Sequence, residues 1–367
     1  MEIILLSDAL RDTYGANRVV TLLASEFAKR YDIGVASVSI STSMREKMES
    51  YGIKPLDLNL KYFSKDSSIS WIEAFFRETF FHSNSKELKK KIDINKCKLV
   101  SFSCIFNIPT DIVYGLGFGV SSHINAFVDE MPWYYKLGTK ILNPVFSRME
   151  KKLKENLLAS KIILTISEYC SQLYEELGID VNSVIYPPLD LDIYKPSTSS
   201  PVEDYVLTYL GKESKFSLIK EIADLGIHIK AFGSKLSYIP STILKHSNIE
   251  CLGHVSDETL VDLYTNAHYT FFPFTDEVFG YIPVESMACG TPTLTYAYQG
   301  PMETVSNEVT GWLAKDDKDL ISLASKISKE GYSSNIRKKC REFSLNFDKQ
   351  HIAKKWFKYL DESLNTV

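Results

Sequence analysis

Residues 1–40, MEIILLSDALRDTYGANRVVTLLASEFAKRYDIGVASVSI, set an apolar run at Ile3-Ile4-Leu5-Leu6, a helical pattern over Ala16 to Arg30, and a second β-branched run over Ile33 to Ile40. A strand covered on both faces reads as a continuous apolar run, so this opening predicts an α/β fold with parallel sheets. The rhythm continues at Lys98 to Phe102, Ile124 to Val128, Ile162 to Ile166 and Ser183 to Ile185. It then breaks at Pro187 to Pro201, PPLDLDIYKPSTSSP, which reads as an interdomain linker because its prolines continue neither strand nor helix. A second alternation follows, through Tyr205 to Leu210, His228 to Phe232, Glu250 to Gly253, the helix Asp257 to Asn266, Tyr269 to Phe272, Val284 to Ala288 and Thr293 to Thr295. Two consecutive Rossmann-like domains are expected, over 1–195 and 202–349.

Composition narrows the function classes. The chain has 367 residues, 44% hydrophobic and 24% charged, with net charge −4. That is an ordinary globular balance with no basic surplus for a nucleic-acid backbone. Six scattered cysteines (Cys97, Cys104, Cys170, Cys251, Cys289, Cys340) form no C-x-x-C pair, which points to a reduced, cytoplasmic setting without a zinc site. The opening lacks a basic region before its apolar run and reads as a first strand, not a signal peptide. No apolar run approaches the ~20 residues of a membrane span, so any membrane contact is expected to be peripheral.

The chemistry concentrates in Phe272 to Pro292, FPFTDEVFGYIPVESMACGTP. Glu277 and Glu285 flank Phe279-Gly280-Tyr281-Ile282-Pro283, and a helix is expected to begin near Pro283, with Glu285 in its first turn. A glycine loop entering a helix offers backbone N–H groups and a positive dipole end to a phosphate. Carboxylates beside such a site are poor phosphate ligands but good acceptors for sugar and ribose hydroxyls. The physical reading is a nucleotide-sugar site; a surface loop with an acid near a helix start is the plain alternative. The G-x-G-x-x-G fingerprint of a nicotinamide enzyme is missing.

These residues resemble the retaining glycosyltransferases of family 4. Further segments carry the resemblance across the second domain: SVIYPPLDLDIYKP, LTYLGKESK, IECLGHVSDETLVDLYTNAHYTFFPF and QGPMETVSNEVTGWLA. The first domain matches in outline. The resemblance implies a GT-B fold, two Rossmann-like domains facing across a cleft, with the first on the acceptor side and the second binding the nucleotide sugar. It also implies that the terminal helix, about 350–367, packs back onto the first domain, giving Trp356, Phe357 and Leu360 an apolar partner.

Carried over by motif, Glu277 contacts the donor sugar, Glu285 the ribose, and Lys212 and Lys215 the diphosphate. Lys212 stands where the family usually has Arg, so bidentate geometry is lost. Gly15, Gly211, Gly253, His254, Val255, Phe279, Gly280 and Tyr281 complete the donor site, His254 through its main chain. Plain readings remain for Lys212 and Lys215 as solvated lysines and for Gly15 as a helix-entry turn. Where the family often places a histidine facing the acceptor, this chain has Asp129 and Glu130, and Asp129 is assigned to that side; acids capping a strand end are the alternative. His123 lies at the wrong end of that strand.

The resemblance implies a retaining transfer of a hexose from a UDP- or GDP-sugar to a hydroxyl of a glycan, lipid-linked glycan or lipid, with no other cofactor and no essential metal. A non-catalytic GT-B glycan-binding or scaffold protein and a nucleotide-sugar epimerase are the alternatives. The aromatics Trp71, Phe75, Phe76, Phe80 and Phe81 precede a basic run from Lys86 to Lys98, and Trp133-Tyr134-Tyr135-Lys136 leads into a second one. Such pairing suits an anionic membrane face, here the inner one, although a core-facing stripe backed by a solvated face is the commoner explanation and the favoured one.

Overall fold

The computed structural model describes residues 2–11, 16–62, 67–117, 133–211, 214–233, 239–274 and 277–365. The chain divides into two compact units, one comprising Met1–His123, Leu137–Pro188 and Lys349–Val367, the other built on Leu189–Asp348.

In the first unit the described strands are β1 (Glu2–Ser7), β2 (Ile33–Ser37), β3 (Lys54–Asp57), β4 (Cys97–Ser101), β5 (Ile112–Gly115), β6 (Ile162–Thr165) and β7 (Ser183–Val184). They form one parallel sheet in the order β3-β2-β1-β4-β5-β6-β7. Strand order reverses between β1 and β4, both of which are buried from end to end apart from Glu2. Neither β3 nor β5 is marked by the long apolar runs; β3 contains Pro55, which an edge strand tolerates because its N–H side faces no partner. The Ile124 to Val128 segment lies outside the described residues.

The terminal helix Lys349–Asn365 belongs to this unit. Its Trp356, fully buried, meets Phe102 at 5.5 Å, Tyr114 at 4.9 Å and Phe27 at 5.6 Å between ring centroids. Asp361 one turn on accepts hydrogen bonds from Arg30 at 2.7 Å and Tyr31 at 2.6 Å. The helix Ser67–Phe81 corrects the reading of its aromatics as one stripe. Phe75 is buried and Trp71 turns its indole N–H onto Asp8, leaving Phe76 and Phe81 exposed. Lys98 drops out of the basic run, since it is buried in β4 beside Asp111.

The second unit holds β8 (Val206–Leu210), β9 (Ile229–Gly233), β10 (Ile249–Gly253), β11 (Thr270–Phe271), β12 (Thr293–Tyr296) and β13 (Gly311–Ala314), parallel in the order β10-β9-β8-β11-β12-β13. This is the doubly wound order, and it reverses between β8 and β11. Isoleucines 219 and 222 of the helix Phe216–Asp224 pack with Phe271, Leu294 and Leu320 into the core. Most of the proline-rich stretch is docked rather than a free linker. Leu189 donates to the Phe347 carbonyl at 2.7 Å, and Arg341 donates to the carbonyls of Tyr194 at 2.8 Å and Ala288 at 3.0 Å.

Trp356→Ala should cost about 3–5 kcal/mol, the range for truncating a large buried aromatic. Trp356→Phe should cost less, because it also removes a buried indole N–H with no hydrogen-bond partner among the described residues. Urea unfolding checks both; a loss under about 1 kcal/mol for the alanine variant would show that the helix contributes little to this unit.

Candidate active site

In open parallel sheets the crevice for a ligand lies outside the carboxyl ends of the strands where their order reverses. In the second unit those ends are the loops after β8 and β11. Ser214 shapes the first: its hydroxyl accepts from the Gly211 N–H at 2.8 Å and donates to the Tyr209 carbonyl at 3.0 Å. Ser214 also forms an antiparallel bridge with Phe274, and Lys215 N–H donates to the Pro273 carbonyl at 3.3 Å. The two loops are therefore bound to each other. Phe274 stacks on Phe272 at 4.0 Å and on Tyr209 at 5.9 Å, which stiffens the join.

Beyond Phe274 the chain reaches Glu277, whose backbone is fixed at both ends. Its N–H donates to Gln299 Oε1 at 2.7 Å, and its carbonyl accepts from Gly300 N–H at 2.9 Å. Gly300 is required there, because a Cβ would lie 2.3 Å from the backbone of Val278 and Phe279. The Glu277 carboxylate accepts from the N–H groups of Phe279 at 3.2 Å and Gly280 at 3.1 Å. Two donors expected to be open to a phosphate are thus taken by the chain's own acid, as an acidic group at a helix start favours.

Gly280 sits at φ +86°, and the helix runs Tyr281–Ala288, starting two residues before Pro283. Glu285 accordingly lies beyond the first turn. It is 4% exposed and accepts from the Tyr264 hydroxyl at 2.8 Å. Burial, followed by the neighbouring Glu285 charge, pushes the Tyr264 hydroxyl well above its usual range, so it stays a donor. The Phe279 side chain is buried, edge-on to Tyr281 at 5.4 Å and Phe347 at 5.8 Å, which leaves only its main chain for ligand contact.

Lys215 immediately precedes the helix Phe216–Asp224. Its ammonium donates to Asp317 Oδ1 at 2.8 Å and to the Tyr296 hydroxyl at 3.0 Å. Gly253, at φ +70°, ends β10 at a register shift, with His254 and Val255 following. These sit at the same carboxyl edge of the sheet, two strands from β8. Gly15, Asp129, Glu130, His123 and Lys212 lie outside the described residues. Among the described residues no group of three or more His, Cys, Asp or Glu side chains is placed to hold a metal ion.

Asp8 belongs to none of the sequence motifs. It follows β1 at the reversal point of the first unit's own sheet, next to β4. Trp71 Nε1–H donates to Oδ2 at 3.1 Å and the Ser103 hydroxyl donates to Oδ1. Burial pushes the carboxyl up to about 6, against the two hydrogen bonds that favour its charged form. Its partners stand 63 and 95 residues away, so no local spacing reveals them. An acid directly after a buried first strand was the available signal.

Residues 234–346 match the family model described as glycosyl transferases group 1. An uncharacterized glycosyltransferase of Methanocaldococcus jannaschii is 31% identical over 119 residues, which are 31% of this chain and 28% of that protein. The chain spans at most about half the length of the curated relatives it matches. Sucrose-phosphate synthase from Thermosynechococcus elongatus superposes with TM-score 0.75 at 15% identity, covering 100% of both chains. The Anabaena HepE protein in complex with UDP-glucose superposes with TM-score 0.69 at 14% identity, covering 99% of this chain and 100% of that one. The fold is the GT-B one, two Rossmann-like parallel-sheet domains.

The folded Asp8 value exceeds the ordinary 3.8, so the folded chain holds this proton more tightly than the unfolded one. Stability from protonated Asp8 is full below about pH 4 and is lost as pH rises through about 6. Wild-type stability relative to Asp8→Asn should fall across that window by about 2–3 kcal/mol and level off above it. A pH-independent difference in denaturant midpoints would show that the group does not titrate there.

Proposed function

We propose that this chain is a glycosyltransferase that moves a hexose from a UDP- or GDP-sugar to a hydroxyl of a glycan, lipid-linked glycan or lipid, with retention at the anomeric carbon. The observation that carries the reading is the joined pair of loops after β8 and β11. They bring Lys215 and the Glu277 turn to the reversal point of the second sheet, at the start of the helix Tyr281–Ala288. The family-model match over residues 234–346 and the bound UDP-glucose in the Anabaena structure support it.

In this reading Lys212, Lys215 and the start of the Tyr281–Ala288 helix stabilise the departing diphosphate, where negative charge develops as the glycosidic bond breaks. The acceptor oxygen attacks from the face the diphosphate leaves, and its proton passes to a diphosphate oxygen. Glu277 accepts from sugar hydroxyls while its bonds to Phe279 and Gly280 fix its direction. Glu285, oriented by Tyr264, accepts from the ribose. The lysines and the helix supply the positive field, so the step needs no metal. Asp8, Asp129 and Glu130 are the acids assigned to the acceptor's side.

Glu277→Gln should cut transfer at least tenfold while leaving nucleoside diphosphate affinity within about twofold, since only the sugar contact changes. Glu285→Ala should weaken the nucleotide itself. Thermal shifts against UDP- and GDP-sugars, followed by transfer assays, check both, because a ligand of the folded state raises the melting temperature. Equal mild effects of both variants would remove the assignment, and donor conversion without acceptor would point to epimerisation.

A lipid-linked acceptor would bring the enzyme to the cytoplasmic membrane face as a peripheral protein. Supporting this, Leu137, Ile141 and Leu142 are exposed on the helix Trp133–Leu158, and Phe76 and Phe81 are exposed on the helix whose Phe80 lies under Arg148. No described helix is long and apolar enough to cross a membrane. Co-sedimentation with anionic vesicles should fall as salt rises and on reversing Lys89, Lys90 and Lys91 to Glu. Pelleting insensitive to both would leave these lysines as a solvated helix face.

A further inference from the structure

The diphosphate reading assigns Lys215 a ligand, yet its ammonium already has one inside the chain. Asp317 Oδ1 lies 2.8 Å away, and the Tyr296 hydroxyl bridges the pair by accepting from Lys215 at 3.0 Å and donating to the same carboxylate oxygen at 2.5 Å. The ammonium also stands 4.7 Å from the centre of the Tyr296 ring. Burial and the Asp317 contact push the Tyr296 hydroxyl far above its usual range, so it donates throughout.

Asp317 is one of three acids at the start of the helix Asp317–Glu330, and the other two are otherwise engaged. Asp316 Oδ1 caps the helix by accepting from Asp319 N–H at 2.9 Å, and Asp319 Oδ2 accepts from Lys315 N–H at 2.9 Å. Capping therefore does not require the Asp317 carboxylate. Burial alone would raise the Asp317 carboxyl, but the hydrogen bonds from Lys215 and Tyr296 overcome this and hold it below its ordinary value. The carboxylate is 53% exposed against 21% for the lysine side chain, so the acid is hydrated and the contact is one an incoming anion can displace.

We infer that Asp317 is a specificity-determining residue of the donor site, competing with phosphate oxygens for Lys215 and disfavouring the bare nucleoside diphosphate product more than the nucleotide sugar. This rests on the assignment of Lys215 to the diphosphate. The sugar-bearing diphosphate is a diester with two negative charges. The product has a free terminal phosphate whose second ionisation lies at about 6, so it carries a third charge at neutral pH. A fixed carboxylate beside the shared ammonium repels the product more, which speeds its release.

Calorimetric titration of the full chain with UDP and UDP-glucose, and with GDP and GDP-mannose, tests this on the pair that binds. Asp317→Asn should tighten the diphosphate about fivefold or more and the nucleotide sugar less than twofold. Asp317→Ser, which keeps a small polar residue at the helix start, should reproduce the pattern; in a Lys215→Met background the gain should shrink below twofold. Equal tightening of both ligands, or weaker diphosphate binding in both Asp317 variants, overturns the inference while leaving the donor reading intact. If no nucleotide binds, or Lys215→Met leaves both affinities unchanged, the donor reading itself falls and takes this inference with it.

Discussion

Parallel pairing of β8 with β11 is the constraint on which the candidate site depends. Parallel neighbours cannot be joined by a tight turn, so each strand needs a crossover that returns the chain to the starting edge. Crossovers run one way from β8 through β9 to β10 and the other way from β11 to β13, so the loops after β8 and β11 separate and leave a crevice. Here the Ser214–Phe274 bridge closes the base of that crevice. It fixes where Lys215 emerges and where the chain sets off toward Glu277. A two-residue β11 suffices because its neighbours on both sides are longer and its two residues are fully buried.

The Glu277 turn is organised by the chain's own groups. Backbone bonds to Gln299 and Gly300 hold the residue, and its own carboxylate collects two N–H groups at the helix start. A carboxylate held this way would have little freedom to lose in the proposed contact with a sugar hydroxyl, which is the condition for preorganised binding. The same arrangement removes two of the backbone donors that a diphosphate would otherwise use. In the proposed donor site more of the phosphate charge would then fall to the lysines, which gives the pairing of Lys215 with Asp317 its weight.

The alternation of apolar runs and helical patterns was enough to read two parallel α/β units, since buried parallel strands such as β1, β4 and β8 announce themselves by composition. Strands β3, β5 and β13 were not legible, being four residues long and either broken by Pro55 or ended by Gly115 or begun by Gly311, which shortens the apolar run. Within the site, Glu277 and Glu285 stood out because eight residues of one loop and helix hold them together. The helix start was misplaced because Pro283 looked like a first-turn proline, whereas the left-handed Gly280 sets the start at Tyr281. Relations across the sheet were invisible for a different reason. Lys215 with Asp317, Asp8 with Trp71 and Ser103, and Glu285 with Tyr264 are each joined by tertiary packing, 102, 63, 95 and 21 residues apart.

The proposed transfer requires a nucleotide sugar to bind at the reversal point of the second sheet. A crystal structure of the chain soaked with the nucleotide sugar that raises its melting temperature tests this most directly. Diphosphate density is expected against the Lys215 ammonium and the start of the Tyr281–Ala288 helix, with ribose oxygens within hydrogen-bond distance of Glu285. Density at the opposite, amino edge of the sheet, where Asp204, Tyr205, His228 and Lys329 line a groove of about 350 Å³, would contradict it.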